Sequence, residues 1–477
     1  MAIHAAQLPM PRRVYGIETE YGITCAPVSE GEPPLDAEQA AQRLFACTLA
    51  QEKSTNVFLP NGARLYLDVG AHPEYASAEC DQLADLLSNE RAGDEIFAQM
   101  AGEANSGLES EGVPGRIHLF KNNLDSEGNS FGCHENYLIH RQRDFRNRIK
   151  AMVPFFVTRQ ILVGAGFISR PEDSDGGDGG ARFEISPRAG QMWDAVSSAS
   201  TRSRPMINTR DEPHGDPDKY RRMHVIVGDS NMSQSTLALK VGMTHALLSV
   251  MEANPIPLPD FELADPPQAI RATSADLSTQ ALLERANGST VTALEIQREI
   301  HDYVADFYVQ AGWMDSLSAI DRYVFELWER ALTAFERGEP QSLATEIDWV
   351  AKQRLISAYQ ERSGIAIGDL RLARLELAWH DVTTAGLRAK LEATGGLRIL
   401  ADPSAVTDAM SKPPQTTRAK LRGDFIAAAR STHRDYMADW MNLRLINGDA
   451  SKNVLLRDPF AAADQRVDEL MEAVKSS

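Results

Sequence analysis

The sequence predicts an α+β protein with a sheet-based first half, a mainly helical second half and a small C-terminal domain. Three observations point there. From Arg12 to about Val227, short β-like runs such as VYGIETEYGIT, ARLYLDVG, GRIHLFKNN and RMHVIVGD alternate with helical patterns. Beyond about residue 235 the pattern turns helical: Ile320, Val324, Leu327, Trp328, Ala331 and Phe335 recur at spacings of three and four and give one apolar, core-facing stripe. A loop at about 401–414, ending in Lys412-Pro413-Pro414, then sets off the last segment, which divides the chain into 1–408 and 409–477.

Composition sets broad limits. The 477 residues are 43% hydrophobic and 24% charged, as in an ordinary globular protein. With 49 Lys and Arg against 67 Asp and Glu the net charge is −18, which disfavours nucleic acid as a partner. Basic residues cluster twice, at Arg141, Arg143, Arg146, Arg148 and Lys150 and again at Arg202, Arg204, Arg210, Arg221 and Arg222. The first reads as a solvated face and the second, lying among motif residues, as a group facing an anion. Cys25, Cys47, Cys80 and Cys133 are far apart and form no CxxC pair, so neither a zinc framework nor a disulfide scaffold is indicated. The N-terminal residues lack the apolar run of a secretory signal, and the stretch TLALKVGMTHALLSVM is broken by Lys240 and His245. A cytoplasmic protein with no membrane partner is expected.

Side chains on a strand alternate between faces, so in VYGIETEY the acids Glu18 and Glu20 share one face. Neighbouring carboxylates repel unless a cation sits between them, which suits a hard ion such as Mg²⁺; an edge strand with two solvated glutamates is the plainer alternative. In Arg64–Val69, Leu65, Leu67 and Val69 alternate with Arg64, Tyr66 and Asp68, and an acid-rich turn with Glu74, Ser77 and Glu79 follows. A third strand places His224 before a Gly-Asp turn. The segment PEDSDGGDGG at 171–180 reads as a mobile surface loop and lacks the pattern of a phosphate-binding P-loop.

The runs GIETEYG, NVFLPNGARLYLDVGAHPEYASAEC, HLFKNNLDSEGNSFGCHENYL, SSASTRSRPMINTRDEP, YRRMHVIVGDSNM, TEIDW, TTRAKLRG and DPF together resemble the Pup-protein ligase family (proteasome accessory factor A), itself similar in catalytic fold to glutamine synthetase and glutamate-cysteine ligase. The resemblance implies an antiparallel sheet whose concave face holds ATP and Mg²⁺, beside a small C-terminal domain. It implies that Glu18, Tyr66 and Glu74 ligate magnesium, that Arg64, Ser77 and Trp440 contact the nucleotide, and that Asp68 is the catalytic base. Ser77 stands where threonine is expected and keeps the hydroxyl. Glu20 and His224 extend the ligand set by strand geometry and by analogy with glutamine synthetase-like sites. The implied reaction joins the γ-carboxylate of the C-terminal glutamate of Pup, activated as an acyl phosphate, to lysines of target proteins, and so tags them for proteasomal degradation. The alternatives are the paralogous depupylase and Pup deamidase, a small-molecule glutamate ligase and a non-catalytic Pup-binding scaffold. Against the depupylase stand the opening GIETEYG, where that paralogue has TEVEYG, and the short interval 21–63, which leaves little room for its long extra loop.

Overall fold

Alternation along Tyr15–Glu20 buries Tyr15, Ile17 and Thr19 and turns Glu18 and Glu20 to the other face. The computed structural model, which describes residues 9–68, 70–125, 127–170, 180–198, 204–253, 258–446 and 452–475, builds its main sheet around this strand. In chain order the strands are β1 (Tyr15–Glu20), β2 (Gly22–Pro27), β3 (Asn56–Phe58), β4 (Arg64–Asp68), β5 (His72–Ala76), β6 (Gly115–Phe120), β7 (Cys133–His140), β8 (Phe167–Ser169), β9 (Arg182–Glu184), β10 (Asp194–Ser197), β11 (Pro205–Asn208) and β12 (Tyr220–Val225). The eight-stranded sheet has the order β10-β11-β12-β7-β1-β5-β4-β3. Its pairings are antiparallel, as expected, except for a parallel β10–β11 pair at one edge. The run GRIHLFKNN supplies β6, which pairs with β2 in a separate ribbon and not with the main sheet. Tyr21 makes the break: its ring is buried and its hydroxyl donates to Asp94 Oδ1 at 2.6 Å, which diverts the chain between β1 and β2.

One face of the sheet is core. Tyr15, Ile17, Tyr137, Ile139, Met223 and Val225 join a single apolar cluster with the helices Leu83–Ser110, Phe145–Thr158 and Gln234–Ala253. The last of these carries the long apolar run and is buried nearly all round; among the described residues, no helix is long and apolar enough to cross a membrane. The expected stripe lies on the helix Ala319–Glu336, where Val324, Leu327, Trp328, Ala331 and Phe335 are buried and Ile320 packs at the edge.

The interval between β1 and β4 is filled by β2, the helices Ala37–Leu44 and Ala46–Glu52, and β3. The first helix starts on a reciprocal capping box between Asp36 and Gln39. The stretch 401–414, read as loop, contains a short helix, Pro403–Ala409. Asp402 caps it by accepting from Ser404 N, and Pro403 occupies its first turn, where no amide donor is needed; the prolines mark a helix start here as well as a stop. Beyond it, the helix Ala419–Ser431, the antiparallel strands Tyr436–Ala438, Asn442–Leu445 and Lys452–Leu455, and the helix Gln465–Lys475 enclose their own core of Leu421, Phe425, Leu443, Val454 and Leu470, with Phe58 of β3 packed against it. The acidic glycine-rich segment 171–179 and Arg202 lie outside the described residues.

On the core side of β7, Glu135 is fully buried with Arg159, and it also accepts from Tyr137 Oη at 2.6 Å. Arg159 Nη1 reaches Glu135 Oε2 at 2.9 Å and Thr244 Oγ1 at 2.8 Å. Removing one partner of such a pair strands a charge in apolar surroundings. Arg159→Met should therefore lower stability by about 3–5 kcal/mol in equilibrium denaturant unfolding; a loss below about 1 kcal/mol would show that water reaches Glu135.

Candidate active site

Residues directly opposite each other in an antiparallel pair share a face. One rung of the sheet runs Glu20–Glu74–Tyr66, the next places Glu18 beside Ala76 and Arg64, and a third pairs Asp68 with His72. The expected residues Glu18, Glu20, Tyr66 and Glu74 thus converge on the polar face. On the other side of β1, Glu18 is opposite His134 and, one strand further, Asn136 is opposite His224. His224 Nε2 stands 4.0 Å and His134 Nδ1 3.6 Å from Glu18 Oε2. His134 was not expected. Its signal was the alternation in CHENYLIH, which puts His134 and Asn136 on one face and Glu135 and Tyr137 on the other.

These groups shift one another's protonation. Burial and the charges of Glu18 and Glu20 push the Glu74 carboxyl up to about 10. Burial opposes the charged form of Glu18 too, but His134, His224 and the Tyr66 hydroxyl, which donates to Glu18 Oε1 at 2.6 Å, hold it well below the usual carboxylate range. Charge therefore settles on Glu18 and a proton on Glu74. Burial, His134 and Arg222 push His224 down to about 3, so its ring is neutral, and its buried Nε2 has no hydrogen-bond partner. Burial and the Glu18 and Glu74 charges raise the Tyr66 phenol, which stays protonated. Donor atoms of Glu18, His134 and His224 all lie within 4.8 Å of one another. Crowded carboxylates beside two imidazoles, of which His224 has an orphaned nitrogen, fit a divalent cation.

Next to the acids lies a cavity of about 400 Å³. Gly16, Ala76, Ala78 and Leu138 give it a small, apolar floor, and Arg64, Arg222, His214, Arg418 and Trp440 stand around it. Arg64 lies over the Tyr66 ring at 4.1 Å and donates to Asn56 Oδ1 at 2.9 Å. Ser77 lines the cavity, but its hydroxyl accepts from Ile17 N at 3.0 Å and donates to Ala78 O at 3.1 Å, which ties it to β1. Trp440 is half-buried and packs edge-on against Phe58 at 4.9 Å. Asp68 is exposed at the end of β4, on the face it shares with Arg64 and Tyr66.

The anion-facing expectation for the second basic cluster narrows to Arg222, which donates to Glu212 O at 3.0 Å and Asn136 Oδ1 at 2.8 Å. Arg221 points to the opposite face, over Phe145 at 4.7 Å, and Arg204 and Arg210 pair with Gln191 and Glu212. In the first cluster Arg141 and Arg148 pair with Asp211 and Asp144, in keeping with a solvated face.

The family described as Pup-ligase protein matches residues 13–444. The chain belongs to the Pup ligase family. Two of its relatives are the Pup–protein ligase of Sanguibacter keddieii, 49% identical over 97% of this chain and 99% of that one, and that of Arthrobacter sp. strain FB24, 47% identical over 98% and 100%. Two Pup ligase structures share the fold. A crystal structure of the complex between the prokaryotic ubiquitin-like protein Pup and its ligase PafA superposes with a TM-score of 0.90 at 40% identity, covering 97% of this chain and 91% of that one. A structure of PafA in complex with ADP gives 0.82 at 40% identity, over 94% and 95%.

Glu74 makes the cation-free protein pH-sensitive. Its folded value, about 10, exceeds the ordinary 4.5. Its contribution to stability is thus fully present below the ordinary value and lost as pH rises toward the folded one. Glu74→Gln should flatten that decline, removing a slope of at most ~1.4 kcal/mol per pH unit above the ordinary carboxylate value, so that any advantage of the variant over the parent is absent at the acid end of the window and grows steadily toward alkaline pH. Denaturant unfolding with a chelator present checks this.

Proposed function

We propose that this chain is an ATP-dependent Pup–protein ligase, which forms an isopeptide bond between the γ-carboxylate of the C-terminal glutamate of Pup and lysine side chains of target proteins. The observation that carries the reading is the juxtaposition of a half-buried acid and imidazole cluster with an arginine-rimmed cavity of about 400 Å³. Family membership, the names of the relatives and the ADP-bound structure support it. Free cysteines at Cys25, Cys47, Cys80 and Cys133 agree with a cytoplasmic setting.

A carboxylate is a poor acyl donor, and transfer of the ATP γ-phosphoryl group makes the Pup glutamate an acyl phosphate with a good leaving group. Glu18, Glu20, Glu74, His134 and His224, with Tyr66, would hold Mg²⁺, which when bound offsets phosphate charge. Arg64 and Arg222 supply fixed positive charge at the cavity rim, and the indole of Trp440 offers a flat apolar wall for the nucleotide base. The attacking lysine, with a reference pKa of about 10.4, must lose a proton. Asp68 is exposed beside the cluster and is the proposed acceptor. The paralogous depupylase is disfavoured because short elements fill the interval between β1 and β4.

The test is a single-turnover assay with Pup ending in glutamate, ATP, Mg²⁺ and a lysine-bearing acceptor. The parent should form ADP and conjugate together and release little ammonia from Pup ending in glutamine. Asp68→Asn keeps the side-chain shape but cannot take the proton, so conjugate should fall by about 10²-fold or more while ADP, or hydroxamate with hydroxylamine present, still forms in stoichiometric amount. Conjugation at the parent rate would remove Asp68 as the base, and loss of both products would move it to the phosphoryl-transfer step.

A further inference from the structure

Glu79 follows β5 at the edge of the cavity and is one carboxylate facing two guanidiniums. Arg418 Nε lies 2.9 Å from Glu79 Oε1, and Arg422 pairs with Glu79 Oε2 and reaches Oε1 at 3.3 Å. The side chains are 11%, 2% and 0% exposed for Glu79, Arg418 and Arg422, so none can trade its partner for bulk water. The remaining donors of the two arginines go to backbone carbonyls of four separate segments. Arg422 Nη2 donates to Gly62 O at 2.7 Å and Nη1 to Trp440 O at 3.2 Å, while Arg418 donates to Leu456 O at 2.8 Å and to His214 O. Those segments reach the cavity at Arg64, His214, Trp440 and Pro459. Arg422 also lies under the Trp440 ring, its Cζ 4.9 Å from the centroid, with Phe58 at 5.3 Å from the same atom. The indole therefore rests on a guanidinium whose orientation is set by a carboxylate from the segment that follows β5.

We propose that Glu79 is a positioning residue for the nucleotide: through Arg422 it holds Trp440 against the sheet, and adenine-nucleotide affinity depends on this clamp. The inference rests on the reading of the cavity as the nucleotide site. It differs from a general role in stability because the bonds converge on the indole and the cavity wall and not on the core of the C-terminal unit, where Leu421, Phe425 and Leu443 pack without it.

Glu79→Gln keeps the side-chain size and removes the charge that orients both arginines. ADP affinity by calorimetry should weaken about tenfold or more, with ATP KM rising in parallel and kcat at saturating ATP changing less than about threefold. The double variant Glu79→Gln with Arg422→Gln, which keeps the net charge of the buried group and leaves one guanidinium instead of two without a carboxylate, should show the same loss of affinity. In a Trp440→Ala background the further loss caused by Glu79→Gln should shrink to less than about threefold, the mark of two residues acting as one unit. Unchanged ADP affinity in the folded variants, or a full tenfold loss in the Trp440→Ala background, would overturn the proposal. Failure of both the single and the double variant to fold would also overturn it and assign the clamp to the fold. A parent protein that binds no ADP would remove the nucleotide reading, and this inference with it.

Discussion

Glu18, Glu20 and Glu74 stand side by side on a sheet whose other face is apolar core, so their repulsion cannot be relieved by sliding or rotating a strand. A one-residue slip of β1 would bury both of its acids and expose Tyr15, Ile17 and Thr19. The apolar face thus pays for the polar one. Neighbouring groups absorb what strain they can: Tyr66 donates a hydrogen bond, His134 and His224 crowd toward Glu18, and Glu74 keeps its proton. The buried Glu135–Arg159 pair lies beneath the strand that delivers His134, so the central strand is anchored from the side that carries no chemistry.

The C-terminal unit contributes what the sheet lacks. A sheet face alone is an open platform; Trp440 and Arg418 turn part of it into a walled cavity. Both come from one helix and its neighbouring strands, which pack around their own small core and meet the sheet at Phe58 and the segment after β5 at Glu79.

Much of this was legible in the sequence because period-two alternation is a local property. Glu18 with Glu20, and Arg64 with Tyr66 and Asp68, could be assigned to common faces without knowing which strands pair. Pairing itself is not local. His134 was missed because its place beside Glu18 depends on the β1–β7 register, across more than a hundred residues of chain. The arginine cluster misled for the opposite reason: Arg221 and Arg222 are adjacent in sequence, and adjacency on a strand sends them to opposite faces. The short helix at Pro403–Ala409 was hidden by prolines that read as breakers although Asp402 caps it. The role of Glu79 rests on bonds to Arg418 and Arg422 more than three hundred residues away, which no local pattern encodes.

Asp68 differs from the other acids in being exposed at the strand's end, while Glu74 is buried a few residues on. On the proposed reading the activated carboxylate forms in the sheltered part of the site and the proton acceptor waits at its rim. A lysine carries its amine on a flexible four-carbon stem, so it can reach that rim from the surface of a folded protein without local unfolding. Acceptor choice would then be governed by how closely a whole target can approach the sheet edge, and not by the residues flanking the lysine in sequence.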